Sequence, residues 1–292
     1  MAQLGGYLLA IASGAFYGII SVIILFIARF GEIPSLFCMM VRMLFAGVLL
    51  LPFALPRLRA HRITPQFLRR MLLAGVILSS SSILIYTALD TLPAGIGISL
   101  HYTYPLFVTI LSVLLFRTRV TRRTVTALIL SLAGIVLLCD SAVLPEGAFG
   151  AVCLAILSAV AFAAYYLWIE RKKLGEMDSV LFTMLLSFFD SLVLACYNLA
   201  SGQLLVSVNV NAVLLLAAAG LFAMLAVLTQ VMAVERIGSV MTSILGTFQP
   251  IVCTLGSVVV LHDVLSARSL LGSALILAAV VLITLGGKKK EE

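Results

Sequence analysis

The sequence predicts an all-α membrane protein with ten transmembrane helices arranged as two inverted five-helix repeats. Of its 292 residues, 63% are hydrophobic and 11% are charged, whereas soluble domains are about half apolar and a quarter charged. The apolar residues suffice for about nine or ten helices of ~20 residues, the length that crosses ~30 Å of hydrocarbon. An internal similarity at a spacing of 145 residues predicts the repeats. This composition argues against a cytosolic enzyme, a nucleic-acid-binding protein and a disulfide-framework fold.

Ten apolar segments follow one another along the chain, with short loops between them. They predict transmembrane helices at 5–29, 34–55, 68–90, 93–116, 121–139, 147–170, 179–199, 212–235, 239–261 and 266–286. The first segment has no Lys or Arg ahead of it and is too long for a signal peptide, so we expect it to be retained. Because no loop could hold a soluble domain, the activity is expected inside or across the bilayer, which favours transport.

The placement of basic residues predicts the orientation. If the N-terminus is cytoplasmic, all Lys and Arg residues except Arg29, Arg42 and Arg268 lie at cytoplasmic span ends. The positive-inside rule then favours a multi-pass protein of the cell (inner) membrane with both termini in the cytoplasm. The net charge of +7 is therefore interpreted as a sign of topology, and no nucleic-acid partner is expected.

The two halves of the chain align without gaps at the 145-residue spacing. This alignment pairs Pro105 with Pro250 and the acidic residue Asp90 with Glu235. It divides the chain into a first five-helix repeat, 1–143, and a second repeat, 144–292, which must be inverted because five is an odd number. Secondary transporters use such pairs for alternating access, with the substrate site near the midplane. Ancestral duplication of a membrane scaffold is the alternative.

Two proline-containing segments carry a resemblance to a known family. They are Tyr104-Pro105-Leu106-Phe107 and Gln249-Pro250-Ile251-Val252, each followed by apolar residues and a helix of the type SALILAAVVLITLGG. With Arg42 in the second span, these segments make the chain resemble EamA-type members of the drug/metabolite transporter superfamily. The resemblance implies the ten-helix fold and export of amino acids or related metabolites, with facilitated diffusion and proton coupling both open.

Pro105 and Pro250 are predicted to act as hinges, because each lies in the middle of a span. Proline has no backbone N–H, so the carbonyls of His101 and Gly246 lose their helical partners. In lipid such carbonyls need another helix, water or a ligand as a partner. A static kink filled by a neighbouring side chain is the alternative to a hinge.

Three ionisable residues lie deep in the predicted spans: Arg42, His101 and Asp190. A charge at such depth costs a few kcal/mol, so each residue is a functional candidate. Arg42 is suited to bind a carboxylate, and His101 could carry a proton. Two alternatives stay open: a permanent Arg42–Asp190 ion pair, and a neutral His101 that only forms hydrogen bonds.

Polar and aromatic residues also recur at helical spacing within several spans, as in the series Gly75, Ser79, Ser82, Tyr86 and Asp90. Small residues in such stripes serve helix packing or line a cavity, and Gly14-x-x-x-Gly18 is typical of packing. The predicted substrate-binding residues are Tyr17, Arg42, Ser79, Ser82, Tyr86, His101, Tyr104, Tyr165, Trp168, Asp190 and Gln249.

The favoured function is a secondary transporter of small polar metabolites, with an exporter of amino acids or related compounds placed first. An importer or facilitator of a cationic or aromatic molecule is the second reading, and a structural or receptor-like membrane protein is the rival class. We expect no enzymatic activity, no catalytic residues, no cofactor and no metal. The expected partners are a small-molecule substrate, the lipid bilayer and, as an open possibility, protons; the chain is expected to be a monomer or weak dimer.

The five cysteines lack metal-ligand spacing and are interpreted as small buried hydrophobic residues.

Overall fold

The computed structural model describes residues 2–30, 33–60, 64–138, 145–171, 178–204, 208–262 and 266–288. Within these ranges the chain is helical and contains no strand, which confirms the all-α fold class. The helices are α1 (Ala2–Phe30), α2 (Ser35–Ala60), α3 (Pro65–Leu89), α4 (Ala94–His101), α5 (Tyr104–Phe116), α6 (Arg122–Leu138), α7 (Phe149–Arg171), α8 (Ser179–Ala200), α9 (Val210–Gly246), α10 (Gln249–Leu261) and α11 (Ala267–Lys288).

Several helices begin at capping signals that the sequence contains. Thr64 precedes α3 and accepts the N–H of Phe67, with Pro65 in the first turn, where its missing N–H has no effect. Asp178 and Asn209 accept backbone N–H groups in the first turns of α8 and α9. These side chains satisfy helix N–H groups that have no partner within the helix.

Eight helical segments in the described ranges are long and apolar enough to cross a membrane. They are Gln3–Ile27, Ser35–Leu58, Pro65–Leu89, Ala94–Phe116, Phe149–Glu170, Ser179–Ala200, Val210–Gly246 and Ala267–Leu285, and Gln249–Val260 is a shorter apolar helix. The protein is thus a multi-pass helical membrane protein. The predicted span 121–139 corresponds to α6, which has 17 residues and is shorter than these eight; Cys139 lies outside the described residues.

The predicted spans 93–116 and 239–261 are both interrupted. The first is divided at Tyr102 and Thr103, between α4 and α5, and the second at Thr247 and Phe248, between α9 and α10. The interruptions lie 145 residues apart, and a proline occupies the first turn of the helix that follows each. The physical reason is the missing N–H of that proline, which removes the hydrogen bond that would join the two halves.

Backbone geometry around the two interruptions agrees at the same spacing. The N–H of Thr103 bonds to the carbonyl of Leu100, and the N–H of Phe248 bonds to the carbonyl of Leu245, both over three residues instead of four. Both following helices end in the left-handed conformation, at Arg117 (φ 53°) and His262 (φ 57°). The correspondence is closer than the sparse sequence identity between the two halves suggests.

Gly238 divides α9 into two helical parts. Its φ of 79° and ψ of 166° are not helical, and such a positive φ is accessible to glycine at little cost. The residues after it, Ser239–Gly246, form the first half of the interrupted span; we call them the short half-helix. The predicted spans 212–235 and 239–261 are therefore joined through Gly238 in one long, bent element.

Helix α1 packs against α9 and α10, and the predicted Gly14-x-x-x-Gly18 packing contact is confirmed. A Cβ at Gly14 would lie 3.2 Å from the carbonyl oxygen of Gly246, and one at Gly18 would lie 2.8 Å from that of Gln249. The two glycines thus allow α1 to approach the interruption between α9 and α10.

The expectation that the cysteines are buried is wrong for two of them. Cys38 is buried and Cys253 is partly buried, but Cys153 and Cys196 are exposed on α7 and α8. An apolar side chain on the outer surface of a membrane helix can face lipid, so an apolar sequence context does not predict burial inside the protein.

Candidate functional site

Asp190 and Ser79 form a buried polar pair between α8 and α3. Asp190 is 3% exposed and Ser79 is fully buried. Ser79 Oγ lies 2.6 Å from Asp190 Oδ1 and 3.2 Å from the carbonyl oxygen of Asp190. The helices approach closely because Gly75 has no side chain; a Cβ there would lie 3.0 Å from Asp190 N. A carboxylate in such a place requires compensating hydrogen bonds or charge.

Arg42 on α2 is the cationic group near this pair. Its Nε lies 2.9 Å from Met39 Sδ, a weak acceptor, and its Nη1 is buried without a hydrogen-bond partner. The guanidinium acts electrostatically on Tyr17, Tyr86 and Asp190. Arg42 therefore keeps donor capacity that no described protein group uses.

The ion pair considered as an alternative between Arg42 and Asp190 is not formed within the described part of the chain. The carboxylate accepts from Ser79 instead. The two charges are near enough to interact without locking α2 to α8 by direct contact.

His101 ends α4, directly before the first interruption, and bonds to α7. Its Nδ1 lies 2.9 Å from Ser158 Oγ, and the Ser158 hydroxyl donates to the carbonyl of Ala155 over 2.6 Å. Since that hydroxyl has a single hydrogen, Nδ1 of His101 must be the donor to Ser158. Nε2 is then the ring nitrogen that can accept a hydrogen bond or a proton.

Aromatic rings surround His101. The ring centroids of His101 and Phe162 lie 5.5 Å apart, and those of Tyr104 and Phe162 lie 4.9 Å apart in an edge-to-face arrangement. Tyr104 stacks on Tyr166 at 5.6 Å, and Tyr165 stacks on Phe162 at 5.9 Å. We call Tyr104, Phe162, Tyr165 and Tyr166 the aromatic cluster; such rings can bind aromatic or cationic groups.

Within the aromatic cluster, the Tyr165 side chain is fully buried, and its hydroxyl has no hydrogen-bond partner among the residues that the structure describes. A buried hydroxyl without a partner costs free energy. A ligand or water that supplied an acceptor to this hydroxyl would offset that free-energy cost. The Tyr165 hydroxyl and Arg42 Nη1 are therefore two buried donors on different helices, and Asp190 lies near both residues.

The interrupted helices contact each other through the aromatic cluster. The Tyr104 hydroxyl donates to the carbonyl of Ser243 over 3.3 Å. Gly246 leaves the space for this contact, because a Cβ there would lie 2.8 Å from the Tyr104 hydroxyl and 3.3 Å from that of Tyr166. Tyr104, next to the first interruption, thus reaches the short half-helix just before the second.

Two amide side chains link further helices to this region. The Tyr17 hydroxyl on α1 donates to Gln230 Oε1 on α9 over 3.3 Å, and Tyr166 also interacts with Gln230. Gln249 Nε2, at the start of α10, donates to Ser21 Oγ on α1 over 3.3 Å. Polar groups of α1, α5, α7, α9 and α10 therefore form a connected region around the interruptions.

Acidic side chains join helix ends away from this region. The Glu170 carboxylate at the end of α7 accepts the N–H of Ser239 over 3.2 Å and also its hydroxyl. Arg57 on α2 forms an ion pair of 3.0 Å with Asp178 before α8. Glu170 thereby caps the short half-helix, whose first N–H groups have no helical partner.

Most of the predicted site residues lie in these connected groups. The structure brings together Tyr17, Arg42, Ser79, Tyr86, His101, Tyr104, Tyr165, Asp190 and Gln249 by hydrogen bonds, ring contacts or electrostatic interaction. Tyr86 also packs against apolar side chains of α2 and α8. Ser82 is partly buried without a contact to these groups, and Trp168 packs on the edge of the main core.

Four residues of the region are absent from the predicted set: Ser158, Phe162, Tyr166 and Gln230. Ser158 belongs to a polar stripe of the sequence but has no charge to mark it. Tyr166 follows Tyr165 directly, and the Tyr-Tyr doublet is a usable signal. Gln230 is fully enclosed, and a lone amide in a span is a signal that the stripe pattern did not include.

Comparison with known proteins identifies the family. The model of the EamA-like transporter family matches residues 4–139 and, a second time, residues 149–285. The chain belongs to the EamA-like transporter family. An uncharacterized transporter of Clostridium kluyveri is 21% identical over 98% of this chain and 95% of its own length.

A solved crystal structure has a similar fold. It superposes with a TM-score of 0.83 over 98% of this chain and 99% of its own, at 17% sequence identity. At that identity the likeness concerns the fold alone.

Proposed function

We propose that this protein is a secondary transporter of the cell membrane that exports amino acids or related small polar metabolites by alternating access. The observation that supports the proposal most directly is the pair of helix interruptions 145 residues apart, which meet at Tyr104 and the short half-helix. Interrupted helices that meet at a polar region are typical of carrier sites. The export direction follows from the family resemblance.

The proposed architecture is ten transmembrane helices in two inverted five-helix repeats. The double match of the family model and the equal spacing of the interruptions support it. In this arrangement residues 1–143 and 144–292 form the repeats, and both termini lie in the cytoplasm. The site lies between the repeats, so exchange of their conformations would expose it to either side in turn.

The proposed substrate contacts are made by charged and aromatic side chains of the site. Arg42 binds a carboxylate through its unused guanidinium donors, and Asp190 faces an ammonium group. The aromatic cluster favours a second candidate, a cationic or aromatic small molecule, because ring faces attract cations.

Counterflow in liposomes tests the proposal and separates the candidates. The purified protein is reconstituted, the vesicles are loaded with one unlabelled compound, and entry of the same labelled compound is followed at equal pH on both sides. The panel contains the proteinogenic amino acids and a set of aromatic amines without a carboxylate. We expect exchange of amino acids. Exchange of amines alone would favour the second candidate, and no exchange of any compound would contradict a carrier.

The hinge prolines give a prediction about turnover. Pro105→Ala and Pro250→Ala each restore an N–H that can bond to the carbonyl of His101 or Gly246, which favours a continuous helix. We expect folded protein and counterflow slowed several-fold in each variant, and more in the double variant, since gating motions often limit turnover.

Pro52→Ala is the matched control for the hinge variants, because Pro52 lies inside α2 at no interruption. We expect its turnover to match the wild type. Unchanged turnover in both Pro105→Ala and Pro250→Ala would refute the hinge role.

A further inference from the structure

We propose that Asp190 and Ser79 form the proton-binding site of this carrier, and that one proton moves on Asp190 against each substrate molecule. This inference rests on the proposed transport function and names its coupling ion. It is carried by the geometry of the pair and by the absence, among the described residues, of a cation in direct contact with Asp190.

The position of Ser79 suits both protonation states of Asp190. When the carboxylate is ionised, the Ser79 hydroxyl donates to Oδ1 at 2.6 Å. When the carboxyl is protonated, it can donate to Ser79 Oγ, and the serine hydrogen can turn to the carbonyl oxygen of Asp190 at 3.2 Å. A hydroxyl is both a donor and an acceptor, so neither state leaves the pair without hydrogen bonds.

The groups near Asp190 allow its carboxyl group to be either ionised or protonated. They are Ser79 on α3, which donates a hydrogen bond, and Arg42 on α2, which supplies a positive charge. Arg42 acts at a distance and forms no ion pair with Asp190 within the described residues. An ion pair in direct contact would hold the carboxylate ionised. Without such a contact, a proton can neutralise the carboxylate instead.

His101 is less suited to the same task. It donates through Nδ1 to Ser158, it is enclosed by the rings of Tyr102, Tyr104 and Phe162, and no described carboxylate pairs with it. Its Nε2 can accept a proton only by placing a second positive charge in a region that already contains Arg42. Protonation of Asp190, in contrast, removes a charge from the interior.

The coupling of substrate to proton follows from the charge of the Asp190 carboxylate. A substrate ammonium group near Asp190 stabilises the ionised carboxylate and displaces its proton, and by reciprocity a proton on Asp190 weakens substrate binding. The proton leaves to the aqueous side from which the substrate enters. After the substrate has departed on the other side, a proton from that side takes its place. Substrate and proton thus cross in opposite directions.

Infrared difference spectroscopy of the substrate-free protein in lipid tests the site itself. We compare mildly alkaline with mildly acidic buffer and follow the carbonyl stretch of a protonated carboxylic acid. The wild type is expected to gain such a band on acidification, and Asp190→Asn to lack it. Asp190→Glu keeps the band at a shifted frequency, and Ser79→Ala shifts it because the hydrogen bond is lost. Identical difference spectra of wild type and Asp190→Asn, with both variants folded, would overturn the proposal.

Transport in liposomes tests the coupling, with the amino acid that gives the largest counterflow as probe. Each protein is compared with its own uptake at equal pH on both sides. An acidic vesicle interior is expected to raise uptake above that value in wild type and in His101→Gln, even where His101→Gln lowers the equal-pH rate, and to give no increase in Asp190→Asn. Full drive in Asp190→Asn, or its loss in His101→Gln alone, would overturn the assignment and make His101 the carrier. If no amino acid exchanges at all, the proposed function fails, while the infrared result still decides whether Asp190 takes up a proton.

Discussion

Replacing Arg42 with Lys is expected to lower the transport of carboxylate-containing substrates by about 10- to 100-fold. A hydrogen bond to a charged group contributes about 1.5–3 kcal/mol, which corresponds to that range. Lysine retains the charge but cannot offer two parallel donors to one carboxylate. The measurement is the counterflow rate over a range of substrate concentrations, compared with the thermal unfolding midpoint of the same variant.

The stability of the Arg42→Lys variant is expected to change little, because Arg42 forms no ion pair with Asp190 within the described residues and its Nη1 has no partner. Amines without a carboxylate serve as control substrates and should be affected less. Equal losses of stability and uptake, both restored by adding Asp190→Asn, would show instead that Arg42 acts as a structural partner of Asp190.

Replacing Gly246 with Ala is expected to slow counterflow about tenfold, because the added Cβ would lie 2.8 Å from the Tyr104 hydroxyl. Overpacking of this kind costs about 1–3 kcal/mol, and here it displaces the contact between the two interrupted helices. Tyr104→Phe alone removes the same hydroxyl contact without overpacking, and it should also slow counterflow.

Gly150→Ala is the control for this substitution, since a Cβ at Gly150 has open space around it. Its counterflow rate should equal that of the wild type. A Gly246→Ala variant with normal turnover would mean that the contact between Tyr104 and the short half-helix does not take part in transport.

The features that could be predicted best from the sequence are those that depend on the chemistry of single residues. Pro105 and Pro250 cannot donate a backbone hydrogen bond wherever they lie, so an irregularity at both sites followed from residue type alone. Arg42 and Asp190 are conspicuous because a charge in an apolar span needs a reason to be there. The all-helical membrane class followed from composition in the same way.

Partnerships between distant residues could not be predicted. Ser79 and Asp190 are 111 residues apart in the chain, and their contact depends on how α3 approaches α8 at Gly75. Hydropathy also could not distinguish a kinked helix from an interrupted one, because the residues on both sides of Thr103 and Phe248 are equally apolar. The predicted boundary at residue 235 lies three residues before Gly238, where φ becomes positive.

The double attachment of the short half-helix determines where this part of the protein can bend. An eight-residue helix is not stable by itself in isolation, but Ser239 is tied to Glu170, and Gly246 lies against Tyr166, and both partners belong to α7. The half-helix and α7 are therefore expected to move together. When α7 is displaced, the change in backbone dihedral angles is expected at the two ends of the half-helix, at Gly238 and at the Thr247-Phe248 turn.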